Sequence, residues 1–444
     1  MNYDNGTPKV KVGIMNMPAI NFTLNGTYFC NDNEITGLHK AYLNDHGQIM
    51  LDSTGYDEEM IIEPSDGNCT FCLHDVPIGI GFHWQRTESQ CFGGKLKLIV
   101  ENNAVTAINI IPVEDYLISV ISSEMNATSS IELLKAHAVI SRSWLLAQMS
   151  HLRHMHGDTT EYYSNSDEFI KWYDHTDHAH FDVCADDHCQ RYQGLTRACT
   201  HAVRQAVDAT RGQVLMCDGE LCDARFSKCC GGVLEQFENC WEPSHHSYLE
   251  TRRDWTDEND FPDLTKEENA ALWIMTSPKA FCNTADKATL QQVLNNYDQE
   301  TADFYRWHVE YGQSELAQLI AERTGIDFGR IIDLRPVARG TSGRLYKLKI
   351  VGEKHSLTIG KELEIRRTLS RSHLYSSAFI VERHDIADDN VPGKFILRGA
   401  GWGHGVGLCQ IGAAVMGEMG YSYKQILHHY FNNAMIADYY GKGF

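Results

Sequence analysis

The 444 residues carry 59 acidic against 39 basic side chains, a formal net charge of −20. That balance argues against duplex DNA or an anionic lipid surface as the main partner, because phosphate binding needs clustered cations. With 43% hydrophobic residues, 10% aromatic residues and only 10 prolines, the chain is too apolar for disorder and long enough for two or three domains. No run approaches eighteen apolar residues, so no transmembrane segment is expected. The opening Met1-Asn2-Tyr3-Asp4 has neither the basic nor the apolar stretch of a secretory signal. As written, the chain reads as cytoplasmic, or as one whose export signal is missing from the sequence.

Residues 9 to 30 read as short strands around an Asn25–Gly26 turn, and alternation returns at Leu96–Val100 and Val105–Ile111. This predicts a mostly β module over 1–95 and a second body over 96–444. Residues 112 to 151 are the clearest helical stretch. Val113, Tyr116, Leu117, Val120 and Ile121 fall at i, i+3, i+4, i+7 and i+8, and Ser129-Ser-Ile-Glu132 reads as a capping box opening a second helix. An acidic helical insertion is expected at about 258–325, with Leu290 to Ile320 carrying much of its pattern. Strands follow from 328 to 385, and the last fifty residues read as a Gly-rich strand followed by two helices. Strands and helices come in blocks, which predicts an α+β fold.

Glu124 lies close to three helical turns after Val113, on the apolar stripe of the first helix. A carboxylate there is costly unless paired or protonated, and such a group can serve as a general acid. The structural reading pairs it with Lys135. Lys135 and Arg142 share one stripe of the second helix and are the candidate positioning cations.

Fourteen cysteines in a chain of this length are expected to be free buried thiols. Cys229–Cys230 fits that reading. Cys69-x-x-Cys72 makes a weaker metal candidate, needing Cys30 and Cys91 to complete it. The sharper one is the run from His175 to Cys189. His178, Cys184 and Cys189 lie within twelve residues, and two thiolates with an imidazole suit zinc. The fourth position falls to water, His180 or His188. Asn165, Tyr173 and Gln190–Gly194 are candidates to line a groove beside it.

Glycine occupies 399, 401, 403, 405 and 407. In an extended chain this leaves one bare face and puts Trp402 and His404 on the other. The bare face suits close approach of a ligand or of another strand. Trp402 offers a flat stacking surface, and His404 a hydrogen-bonding group.

Three stretches in order carry a resemblance. Glu114-Asp-Tyr-Leu through Ser-Glu124-Met, with Glu132-Leu-Leu-Lys135 through Arg142, resembles the SpoIID/LytB family of stage II sporulation proteins D and amidase enhancers. Phe226-Ser227-Lys-Cys-Cys230-Gly231-Gly232 looks like the small-residue and Gly-Gly segment of that family. Gly401-Trp402-Gly403-His404 through Cys409-Gln410-Ile411-Gly412 looks like its C-terminal signature. The resemblance implies peptidoglycan glycan strands as substrate, with lytic transglycosylation of strands stripped of stem peptides and Glu124 as the catalytic acid. It places Lys135, Arg142, Ser227, Gly231, Gly232, Trp402, His404 and Gln410 around the substrate. Some members of the sporulation branch hold zinc through one His and two Cys in a comparable loop, matching His178, Cys184 and Cys189. The rival readings are a non-catalytic glycan-binding protein that activates a cell-wall amidase, and a zinc-dependent hydrolase with water in the fourth position.

Overall fold

The computed structural model describes residues 3–4, 6–79, 85–126, 129–151, 162–172, 178–186, 188–196, 200–257, 260–293 and 303–440. The fold is α+β, with two compact units. The first takes residues 1–154, 176–215 and 436–444, and the second takes 155–175 and 216–435.

The first unit is built on an antiparallel sheet. Its strands run in the spatial order Thr7–Met17, Ala104–Pro112, Lys95–Glu101, Glu59–Pro64, Ala19–Cys30 and Asn33–Leu43. Lys95–Glu101 and Ala104–Pro112 form a tight hairpin whose turn residues, Asn102 and Asn103, both have positive φ (53° and 56°). Asn tolerates that conformation, which matches the twist of the flanking strands. Both strands sit in the middle of the sheet. The expected boundary after residue 95 therefore falls within one sheet of the first unit.

The strands Thr70–Ile78 and Arg86–Gly93 pair so that Cys72 faces Cys91, and the two form a disulfide. This corrects the expectation of thiols alone and removes Cys72 from any metal site. Cys69 stays reduced and buried, its thiol directed to the Thr27 carbonyl.

Helix α1, Val113–Glu124, follows directly from the Ala104–Pro112 strand. Pro112 supplies the fixed φ of a helix entrance, and Glu114 and Asp115 complement the positive end of the helix dipole. Val113, Tyr116, Leu117, Val120 and Ile121 are all fully buried, as the spacing predicts. Helix α2, Ile131–His151, is capped one residue later than the sequence suggests. Ser130 Oγ accepts from the Leu133 amide at 3.3 Å, while Ser129 Oγ donates to the Asn126 carbonyl at 2.8 Å. Helix α3, His201–Ala209, is capped by Thr200 and packs on α1 and α2.

The second unit holds two larger sheets among the described residues. One orders Tyr162–Ser164, Glu168–Lys171, Ser356–Gly360, Leu345–Gly352 and Ile331–Arg339. The other places Pro392–Ala400 between Arg306–Gly312 and Phe379–Ile386. Leu316 and Ile320 from the helix Gln313–Thr324 join Trp307, Leu334, Leu348, Ile350, Phe379 and Phe395 in one core. The stretch expected as a helical insertion is helical at Glu267–Thr276, Lys287–Val293 and Gln313–Thr324. Arg306–Gly312 is instead a strand. Trp307 and Tyr311 are buried on one side of it with Val309 partly buried between them, a period of two inside a window read as helix.

Candidate functional site

Glu124 ends α1 half-buried. Among the described residues its carboxylate makes no side-chain hydrogen bond or ion pair. The expected partner, Lys135, pairs with Glu132 at 2.7 Å, one helical turn away on its own helix.

Arg142 is also taken. It is 0% exposed, and its guanidinium grips Glu114 with two bonds, Nε–Oε1 at 2.9 Å and Nη2–Oε2 at 2.6 Å. Nη1 donates to the Gln213 carbonyl at 3.0 Å and to the Ala138 carbonyl at 3.3 Å. The Tyr440 hydroxyl donates to Glu114 at 2.6 Å, and burial pushes that phenol up. The positioning role expected of Arg142 is therefore corrected: the side chain knits α1 to α2 and has no surface to offer a substrate. Glu114 was the missed partner. The sequence held a signal for it, a second carboxylate one turn into the same buried helix.

Beside α1 lies the cysteine–histidine loop. Strand Val183–Cys184 pairs parallel with Val12–Gly13, and Phe181 lies so close over Gly13 that a Cβ there would meet its ring at 2.5 Å. The Asp182 carboxylate accepts from the Lys11 amide at 2.8 Å. The loop is thus pinned to the sheet edge. It gathers ligand atoms from His178, Cys184, His188 and Cys189, all within 4.8 Å of one another. Cys189 Sγ stands 3.4 Å from His178 Nε2 and 3.5 Å from His188 Nδ1. A hydrogen bond with Cys189, helped by His178 and His188, pulls the Cys184 thiol far below its ordinary range against the effect of burial. Two sulfurs and two imidazoles are a donor set that fits zinc. Of the candidates for the fourth position, His188 joins the cluster; His180 is exposed and stays out of it. His175 and Tyr173 lie outside the described residues.

Tyr116 of α1 packs against the residues that follow this loop. It stacks on Tyr192 at 5.1 Å and donates to Gln190 Oε1 at 3.4 Å. Burial, then the negative charge of Cys189, Cys184 and, further down, Glu124, drive its phenol well up. Gln190, Tyr192 and Gln193 are buried at 4% exposure or less and brace the helices, and Tyr192 and Gln193 also line a cavity of about 300 Å³ beside the loop. A cavity of about 580 Å³ does open along α1, where Asp115, Ser119 and Ser122 face Lys9, Lys95 and Arg204.

In the second unit the remaining candidates come together. Phe226–Ser227 pairs parallel with Leu408–Cys409, and Cys229 bridges Trp402. The glycine run is not the extended ladder that its alternation suggests. Gly401, Gly403, Gly405 and Gly407 all have positive φ, between 71° and 91°. A Cβ on Gly405 would meet the Arg344 guanidinium at 2.4 Å, and one on Gly407 the Arg225 carbonyl at 2.1 Å. The bare backbone admits parts of this same chain. Arg344, 1% exposed, donates to the carbonyls of Cys230 and Gly403. Gly231 backs onto Gly401, and Gly232 onto Trp273 and Tyr305.

Trp402 is half-buried between Tyr375 (4.3 Å) and Phe304 (4.8 Å). His404 lies edge-on to Trp241 at 4.9 Å, and its Nδ1 accepts from the Val406 amide. Burial, reinforced by Arg225 and Arg344, holds the imidazole neutral. Gln410 is 2% exposed at the start of the helix Gln410–Glu418, and Ser227 Oγ is buried without a partner among the described residues. Glu124, Lys135, Arg142 and the loop ligands belong to the first unit; Ser227, Gly231, Gly232, Trp402, His404 and Gln410 belong to the second.

Comparison with known proteins completes the picture. A family model described as Stage II sporulation protein matches residues 101–217. The stage II sporulation protein D of Bacillus amyloliquefaciens is 24% identical over 344 residues, which is 75% of this chain and 76% of that protein. The amidase enhancer of Bacillus subtilis is 24% identical over 331 residues, 72% of this chain but 40% of its own length. Residues 101–217 thus carry a SpoIID domain, and the chain is similar over most of its length to proteins of the SpoIID/LytB family. An uncharacterized protein of Brachyspira hyodysenteriae is 25% identical over 384 residues, 86% of this chain and 78% of that one. The SpoIID match takes in α1, α2, the cysteine–histidine loop and α3, and so contains Glu124. A domain of unknown function matches residues 235–407 and takes in the whole glycine run.

Proposed function

We propose that this protein cleaves peptidoglycan glycan strands as a lytic transglycosylase, with Glu124 as its acid and base. The observation that supports this best is the carboxylate at the end of α1, which has no side-chain partner among the described residues while Lys135 pairs with Glu132 and Arg142 with Glu114. In its protonated form Glu124 gives its proton to the glycosidic oxygen between MurNAc and GlcNAc as the bond to MurNAc C1 breaks. The carboxylate so formed takes the proton of the MurNAc C6 hydroxyl while O6 bonds to C1. The products are a GlcNAc hydroxyl and a 1,6-anhydro ring, and the proton returns to Glu124. No water enters, so a second carboxylate is not needed. The exposed face of Trp402 is the candidate sugar platform in the second unit.

His178, Cys184, His188 and Cys189 would hold a zinc ion beside this helix. Bound there, it would supply a rigid cross-link for the loop. Four protein ligands leave no open position, which argues against a zinc hydrolase that needs a bound water.

The test is a digest of peptide-free glycan strands by the wild type and Glu124→Gln, read by mass spectrometry. Products lighter by one water than hydrolytic fragments, absent with the variant, are expected. Strands left intact but bound equally by both proteins would refute catalysis. That result would favour the other role, suggested by the amidase-enhancer relative, of a glycan-bound activator of a cell-wall amidase.

A further inference from the structure

The second unit contains a group of side chains that the reaction does not use. Cys230, Asp254, Cys282 and Cys409 are all buried, and one ligand atom from each lies within 4.8 Å of all the others. Cys230 Sγ and Cys282 Sγ are 3.5 Å apart. That is far beyond a disulfide bond of about 2.05 Å. It is close to the edge of a zinc tetrahedron, where bonds of about 2.3 Å set two sulfurs about 3.8 Å apart.

The surroundings are those of a thiolate site. The Cys230 amide donates to Cys409 Sγ at 3.2 Å, and the Gly232 amide to Cys230 Sγ at 3.4 Å. Cys409 caps the helix Gln410–Glu418, where the helix dipole favours a negative sulfur. Asp254 is 0% exposed. Its Oδ2 accepts from the Cys282 amide at 3.0 Å and its Oδ1 from the Tyr430 hydroxyl at 2.8 Å, with His429 Nε2 3.4 Å away. Among the described residues no Lys or Arg pairs with it. A fully buried carboxylate among three thiols, with no Lys or Arg and only the His429 imidazole near it, is expensive unless a cation is supplied. Gly412 keeps the space open, since a Cβ there would strike Asp254 at 2.7 Å.

We infer that Cys230, Cys282, Cys409 and Asp254 form a second metal site for a single thiophilic divalent cation, zinc by donor set, distinct from the cysteine–histidine loop. The ion ties together four chain segments: the turn before the Gly231–Gly232 pair, the loops at Asp254 and Cys282, and the helix that follows the glycine run. Its role is structural, since four protein ligands close the coordination sphere. It stands whether or not Glu124 is catalytic.

The test uses the full-length protein purified anaerobically with zinc and no chelator. Elemental analysis should find two zinc ions per chain, one of them kept in Cys184→Ala/Cys189→Ala. X-ray absorption on that variant should show three sulfurs and one oxygen around zinc. Cys282→Ala/Cys409→Ala should lose one ion and keep the loop's. Should either variant fail to fold, the wild type decides alone. At most one zinc, with a shell of two sulfurs and two nitrogens, would overturn the inference. So would a Cys230–Cys282 disulfide in peptide maps of the anaerobic protein.

Discussion

Replacing Arg142 with Met separates a structural cation from a substrate-binding one. The guanidinium is fully buried, makes two bonds to Glu114 and donates to two backbone carbonyls. Methionine has similar bulk but leaves Glu114, itself 5% exposed, with only the Tyr440 hydroxyl and the distant Gly212 amide at 3.5 Å. Breaking a buried pair from one side costs about 3–5 kcal/mol, because the remaining charge is uncompensated. For a unit of roughly 200 residues each kcal/mol lowers Tm by about 2–4 °C, so the unit should melt about 6–20 °C lower. Circular dichroism melts of wild type, Arg142→Met, Glu114→Leu and the double variant are the assay. The double variant should recover part of the loss, since it buries no lone charge. A single variant that melts within about 2 °C of wild type but loses glycan affinity would refute this account and restore the substrate role.

Gly405→Ala should destabilise the second unit while leaving the first unit's melt unchanged. Its φ of 79° disfavours a side chain by about 1–2 kcal/mol, and the new Cβ would displace the Arg344 guanidinium. Resolved melting transitions would check it, and an unchanged second transition would count against the packing role of the run. Removing the Cys72–Cys91 disulfide, which closes 19 residues, should cost about 3 kcal/mol by loop entropy. Urea midpoints of Cys72→Ser/Cys91→Ser against the wild type measure it; no change would mean that the cross-link constrains nothing. Burial and the charges of Arg366, Arg367 and Arg323 hold the His373 imidazole down at about 4. Its folded value lies below the unfolded one, so no stability is lost above pH 6.5, and stability falls as pH drops from 6.5 toward 4. For this partly exposed ring, with solvent screening allowed for, the loss between pH 7 and 5 is about 1 kcal/mol. His373→Gln should lose less over that range in urea titrations, and parallel pH curves would refute the assignment.

Periodicity located α1 and α2 because both helices are buried by stripes that repeat within a few residues. It also placed Glu124 at the end of a buried stripe. It could not name the partner of Arg142: Glu114 is 28 residues away, and the choice among several carboxylates depends on how two helices cross. The capping box failed by one residue for a similar reason, since Ser129 and Ser130 offer the same chemistry and the Ser129 hydroxyl is taken by the Asn126 carbonyl. Cys72 and Cys91 were unreadable as a pair because the register of two strands put them face to face. The strand at Arg306–Gly312 was visible as alternation at Trp307, Val309 and Tyr311, but its acidic helical flanks masked it.

The glycine run shows where local reasoning misleads most. Alternating glycines fit an extended strand by period alone, yet an extended chain gives no reason for glycine in particular. Four positive φ values do. The bare Cα atoms of Gly401, Gly405 and Gly407 let Cys229, Arg344 and the Arg225 carbonyl approach closer than a side chain permits, and Gly403 leaves a tight fit against Ser227. The run thus holds the Phe226–Gly232 segment and the Arg344 side chain against itself, and Trp402 and His404 are held in place by that packing. On this account the signature marks a folded knot. Mutations in it should act first through stability, and only through Trp402 on sugar affinity. Trp402→Ala should weaken binding of glycan strands about tenfold at an unchanged Glu124-dependent turnover at saturation, as the loss of one stacked ring implies. A loss of turnover alone, with affinity intact, would mean that the indole orders the reacting sugar and is more than a platform.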